Sequence, residues 1–178
     1  MRGARVTAGL TIREVRPAEH AALGRLMVEV YAALDGFPSP AEQPAYYEKL
    51  ANIGRLGERP GVQVLVAVDA GERLLGGVVY FSAMAEYGSG GTAGAVADAS
   101  GIRLLGVSAA TRGMGVGRAL TEACIARARA RGHAQVILHT TQSMQVAWAL
   151  YTKLGFERST DLDFMQGEMP VFGFRLAL

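Results

Sequence analysis

The sequence predicts an α/β protein, and three observations carry that prediction. An apolar run over residues 102–107 delivers the turn Arg112-Gly113-Met114-Gly115-Val116-Gly117-Arg118 into an amphipathic helix reaching to about residue 131. Two continuous apolar runs, residues 62–68 and 74–84, flank Asp69-Ala70-Gly71-Glu72 in the manner of a β-hairpin. The 178 residues, 50% hydrophobic and only 19% charged, suffice for one domain with a substantial core and exclude a disordered polyampholyte.

Taken in order, residues 1–9 read as a tail carrying Arg2 and Arg5, without the apolar core or cleavage site of a signal peptide, and residues 10–178 as one domain. Residues 10–15 alternate apolar and polar like a strand, and Pro17 then suits the first position of a helix, where its missing N–H is not needed. Leu23, Leu26, Met27, Val30 and Leu34 recur at helical spacing until Asp35-Gly36-Phe37-Pro38-Ser39-Pro40 breaks the helix. A second helix is expected over residues 45–56, followed by the hairpin and then a Gly/Ala-rich connector over residues 87–101, a lid or a plain loop. Beyond the glycine turn and its helix, residues 135–141 read as a strand and residues 146–154 as a helix. Residues 156–160 and 171–176 form a final pair of strands.

A strand that feeds a glycine turn into a helix N-terminus gathers unpaired N–H groups and the positive end of the helix dipole, and such a point suits a phosphate. The glycines at 113, 115 and 117 keep side chains out of its way. Arg112 and Arg118 add permanent charge that opposes the dipole, so an anionic ligand accounts for them best. A nucleoside triphosphate loop would need a lysine, and none occurs between Lys49 and Lys153. A dinucleotide loop starting at Gly115 would need glycine where Leu120 stands and an acid closing residues 135–141, which contain none.

The remaining pattern, Arg-x-x-Gly-x-Gly, resembles the coenzyme A pyrophosphate loop of the GCN5-related N-acetyltransferase (GNAT) family. Ala147-Trp148-Ala149-Leu150-Tyr151-Thr152-Lys153-Leu154-Gly155-Phe156 resembles that family's second motif, a short helix with a tyrosine four residues before Gly-Phe. The two stand in the family's order, separated by one helix and one strand, and the likeness in element order extends over residues 10–178. It implies a mixed, mostly antiparallel central sheet of about six or seven strands flanked by about four helices, with two central parallel strands splayed apart.

The resemblance also implies acetyl-CoA as cofactor, held by Arg112, Gly113, Met114, Gly115, Val116, Gly117, Arg118, Ser143 and Tyr151. Its pantetheine arm would lie in the splay as an extra strand, paired with the backbone at Leu105 and Val107. The activity implied is transfer of the acetyl group to a primary amine of a small molecule or peptide, by direct attack on the thioester. The N–H of Val107 would polarise the carbonyl, and Tyr151 would give a proton to the departing thiolate. On periodicity alone Tyr151 would be an aromatic at the rim of the core; the paired motifs give it the catalytic reading.

Many members carry an acid on the strand before the loop, whereas Ile102-Arg103-Leu104-Leu105-Gly106-Val107 has none. Glu86 is the first candidate for the general base and His139 the second, while water or an amine arriving neutral would need neither. His139, in an apolar strand, reads first as a satisfied core histidine and only second as a base. Met144 stands where many members have Asn, with Ser143 beside it. Arg127, Arg129 and Arg131 suit the helix C-terminus as solvated charges, and Cys124 its buried side.

A net charge of +2 with no basic, aromatic-lined face gives no ground for a nucleic-acid partner, and no apolar stretch is long enough for a membrane span. One cysteine permits no internal disulfide, and the spacing of His20, His133 and His139 offers no metal site; a reducing, cytoplasmic setting fits. A homodimer is left open. The acceptor is open too: Asp35, Glu42, Glu48, Glu86, Asp161 and Asp163 suit a cationic amine or are ordinary surface acids. The alternative to an enzyme is an acyl-CoA-binding sensor of the same fold without turnover, against which Tyr151 speaks.

Overall fold

The computed structural model describes residues 9–178; the tail expected over residues 1–9 lies outside them except for Gly9. The chain opens with β1 (Thr11–Glu14), and a 3-10 turn (Pro17–Glu19) leads into α1 (His20–Ala32). Pro17 does open this helical segment, and the Glu19 carboxylate accepts the backbone N–H of Arg16 at 2.8 Å. Next come α2 (Pro44–Ala51), β2 (Val62–Val68), β3 (Leu74–Phe81), β4 (Ala99–Val107) and α3 (Val116–Ala130). The rest is β5 (Gln135–Thr140), α4 (Gln145–Lys153), β6 (Glu157–Arg158), β7 (Phe164–Gln166) and β8 (Met169–Ala177). No helix among the described residues is long and apolar enough to cross a membrane.

Three elements depart from those expected. The second helix stops at Ala51 and the chain continues as a 3-10 segment (Ile53–Glu58), in which Gly54 lies so close to His20 that a Cβ there would meet its ring at 2.6 Å. β4 begins at Ala99, inside the expected connector. β7 is a strand too short to read from its pattern; it pairs with β8 through a two-residue turn in which Gly167 has φ +60°.

The strands form a sheet in the order β1-β2-β3-β4-β5-β8-β6, with β7 also on β8. Its pairs are antiparallel except β4 with β5. Both faces are covered. Val64, Val66, Val79 and Phe81 pack with Leu23, Met27, Tyr31 and Leu50 of α1 and α2, whereas Leu65, Ala67, Val78 and Tyr80 pack with Leu120, Cys124 and Ala128 of α3. Alternate residues of β2 thus enter different cores, which is why that strand reads as an unbroken apolar run.

Two irregularities of β4 shape the site. Between the pairs Val79↔Arg103 and Gly77↔Gly106, β4 spends one more residue than β3, a bulge in which Leu104 takes φ +57°. On its other edge β4 pairs with β5 only from Ala99↔Gln135 to Ile102↔Leu138. Past Ile102 the two strands part.

Candidate active site

A cavity of about 850 Å³ occupies the gap between the parted strands and extends from the glycine turn to the rings of Tyr31, Tyr46 and Phe164. Its first wall is β4. Ser108 N–H donates to Leu75 of β3 at 2.8 Å, so strand alternation turns the peptide groups of Val107 and Leu105 the other way, into the gap. The Leu105 carbonyl does accept a hydrogen bond there, from the Tyr31 hydroxyl at 2.9 Å.

At one end lies the turn. Gly113 and Gly115 have φ +81° and +80°, and a Cβ on either would project into open space. Gly115 is the N-cap of α3, and no side chain caps the helix, so the N–H groups of Val116, Gly117 and Arg118 have no intrahelical partner. Gly117, already within the helix, faces Leu150 and Val107, where a Cβ would make only ordinary contacts at 3.5 Å each. Arg112 makes no ion pair among the described residues, whereas Arg118 Nε donates to Glu122 at 2.8 Å and is thereby partly neutralised without any ligand.

Leu105, Val107, Arg112, Gly113, Gly115, Val116, Gly117, Arg118, Ser143 and Tyr151 all line the cavity. Met114 does not: its side chain is 60% exposed and its N–H is spent on the Thr111 carbonyl at 3.2 Å. Tyr151 reaches the cavity from α4, buried beside Phe156, and its hydroxyl makes no hydrogen bond among the described residues. Burial pushes that phenol well above its ordinary value, so it stays protonated. The hydroxyls of Thr140 and Thr141, also in the wall, are buried without a hydrogen-bond partner.

The far end is aromatic and cationic. His139 Nε2 donates to the Leu162 carbonyl (2.8 Å), and Nδ1 lies 2.8 Å from the Tyr87 hydroxyl, from which it accepts when the ring is neutral. Burial lowers its basicity further. The satisfied-histidine reading therefore describes its bonding, although the ring also borders the cavity. Arg103 projects from β4 into the same region, with Nη1 donating to the Tyr87 carbonyl at 2.9 Å.

Glu86 is not brought to the cavity; it sits on a separate 3-10 turn (Met84–Glu86). No Asp or Glu lines the wall among the described residues. Asp161 and Asp163 are committed to Arg175 and Arg158, and Glu42 lies with Glu168 at a separate shallow cleft beyond Phe37 and Met169. Arg127, expected as a solvated charge, instead bonds Gln63 of β2 at 3.0 Å. Cys124 is fully buried, its thiol pushed up to about 12.

Comparison with known proteins agrees with this geometry. A model of the acetyltransferase (GNAT) family matches residues 20–156. Among curated proteins, mycothiol acetyltransferase from Streptosporangium roseum is 47% identical over 64 residues, 36% of this chain and 19% of that protein. The corresponding protein of Thermobispora bispora is 44% identical over 59 residues, 33% of this chain and 20% of its own. The match thus spans about a fifth of these relatives' length. Among solved structures, a GCN5-related N-acetyltransferase from Kribbella flavida superposes with TM-score 0.72 at 22% identity, covering 96% of this chain and 99% of that one. The PaiA N-acetyltransferase of Thermoplasma acidophilum, solved with coenzyme A, gives 0.70 at 15% identity, covering 92% and 97%.

Proposed function

The chain belongs to the acetyltransferase (GNAT) family, and from that premise we propose that residues 10–178 act as an N-acetyltransferase that moves the acetyl group of acetyl-CoA to a primary amine of a small molecule or peptide. The observation that carries this reading is the gap between β4 and β5, floored by inward peptide groups and ending in an uncapped glycine cradle. Bound acetyl-CoA supplies an acyl group already activated as a thioester, so no side-chain nucleophile is required.

The α3 N–H groups and Arg112 grip the pyrophosphate, and the peptide groups of Leu105 and Val107 hold the pantetheine arm as a strand is held. Val107 N–H would donate to the acyl oxygen as negative charge grows there, a preorganised backbone dipole that needs no side chain. The acceptor nitrogen would bond to the acyl carbon as the C–S bond breaks and Tyr151 passes its proton to the departing sulfur, and Tyr151 would then be reprotonated through water by the proton that the new amide nitrogen sheds. Burial keeps the phenol protonated and so ready to donate, while making it a weaker acid than a free tyrosine. With no carboxylate in the wall, we assign no side-chain base: the amine reacts in its neutral form, its proton lost to water.

Thiol release from acetyl-CoA across a panel of amines tests this reading. Turnover with any of them supports it; tight acetyl-CoA binding with no release from any amine would leave the sensor reading in its place.

A further inference from the structure

The cavity wall carries Arg103, Arg112, Arg118 and Lys153 and, among the described residues, no carboxylate. Three of these cations belong to the end where the pyrophosphate is proposed to sit. Arg103 does not: it lies on β4 before the bulge, roughly 13 Å of strand from Val107, among Tyr31, Tyr46 and His139. Its guanidinium makes one hydrogen bond, to the Tyr87 carbonyl, and lies 5.8 Å from the Tyr87 ring centre; it forms no ion pair among the described residues. A half-buried guanidinium with donors to spare, facing a cavity without acids, is matched by an oxyanion, which it binds in a fork.

Resting on the acetyl-transfer reading, we propose that the acceptor is an amine that also carries an oxyanion, a carboxylate or a phosphate, and that Arg103 binds that group at the far end of the cavity. The acids outside the wall leave a purely cationic amine without a partner there. Lys49, one turn after Tyr46 on α2, adds to the positive field: burial, then repulsion from Arg103 and Arg59, lowers its ammonium to about 8. The same field favours the neutral form of the attacking amine.

The test pairs amino acids with their carboxamides, and 2-aminoethyl phosphate with ethanolamine. Thiol release reads turnover, and calorimetry on the CoA-loaded protein reads binding without it. The expected result is at least a tenfold preference in kcat/KM for one anionic class, which also tells carboxylate from phosphate. Arg103→Gln should erase the preference through KM, Arg103→Lys should retain part of it, and both should still bind acetyl-CoA as wild type does. Turnover without charge preference, or a preference unchanged in Arg103→Gln, overturns the inference and leaves acetyl transfer standing. Charge-selective, Arg103-dependent binding with no thiol release from any amine supports the anion site and refutes acetyl transfer. Binding of neither class overturns the site.

Discussion

The Tyr31 hydroxyl donates to the Leu105 carbonyl at 2.9 Å, tying α1 to β4 within its bulge. Leu104, immediately before, holds a left-handed φ of +57°, a conformation that costs a leucine about 1–3 kcal/mol and persists only where neighbours enforce it. Tyr31 is one of those neighbours, 4% exposed and packed edge-on to Phe37 and Tyr46. The bond thus joins the acceptor side of the cavity to the strand proposed to hold the cofactor.

Replacing Tyr31 by Phe keeps the ring packing and leaves a buried carbonyl unpaired. The expected loss is about 1–2 kcal/mol, read as a lower denaturant midpoint at unchanged slope, together with weaker acetyl-CoA binding as β4 relaxes. An unmoved midpoint would show that the bond does not hold the strand.

At the glycine turn, side-chain bulk and backbone strain are separable. Gly115→Val adds bulk in the cradle and also strains a φ of +80°, whereas Gly115→Asn tolerates that φ and only adds bulk. Both should lose at least about a hundredfold in acetyl-CoA affinity by calorimetry, with Gly115→Asn melting close to wild type. Arg129→Ala, at the exposed far end of α3, should bind normally. Normal binding by Gly115→Asn would make the turn merely structural.

Tyr151→Phe removes a hydroxyl that bonds nothing among the described residues, so stability and acetyl-CoA affinity should persist. If it protonates the leaving sulfur, kcat should fall by roughly 10² to 10⁴ in single-turnover measurements. An unchanged chemical step would reassign the tyrosine to the core rim.

His139 gives the fold an acid-sensitive point. Burial, with repulsion from Arg103, outweighs the Leu162 bond and Asp163 and lowers its basicity in the folded state. The unfolded chain therefore binds the proton more tightly, so this contribution is complete above about pH 6.5 and is lost as pH falls through the folded value. Glu19, held down to about 2 by the Arg13 guanidinium, acts only further down, below about 4.5. Denaturant midpoints from about pH 7.5 to 5 should fall in wild type and flatten in His139→Gln; parallel slopes would locate the sensitivity elsewhere.

The sequence made the loop, α3, α4 and the hairpin legible because each is set by local pattern: glycines between a strand and a helix, a 3.6-residue period, apolar runs about a turn. It was silent where tertiary pairing decides. Leu104 shows no sign of a left-handed residue, and the parting of β4 from β5 is a property of two strands. Arg103 was visible as the absence of an acid; that it would face an acid-free cavity depended on which way the bulge turns it. Glu86 looked well placed because it follows β3, but the chain turns tightly there and leaves it off the cavity wall.

The question of the base comes down to what the pH dependence follows. Tyr151 is held protonated by burial, and both nitrogens of His139 are engaged, so neither offers a free lone pair in the neutral range. If the acceptor reacts as the free amine, the rising limb of kcat/KM belongs to the acceptor, and two acceptors whose amines differ by about two pH units should displace it by about that much. Glu86→Gln should superimpose on wild type throughout, because its carboxylate does not border the cavity. A limb that stays put across acceptors and disappears in His139→Gln would give the role to the Tyr87–His139 pair. A profile reshaped by Glu86→Gln would return it to that glutamate and require the turn at residues 84–86 to move in the working enzyme.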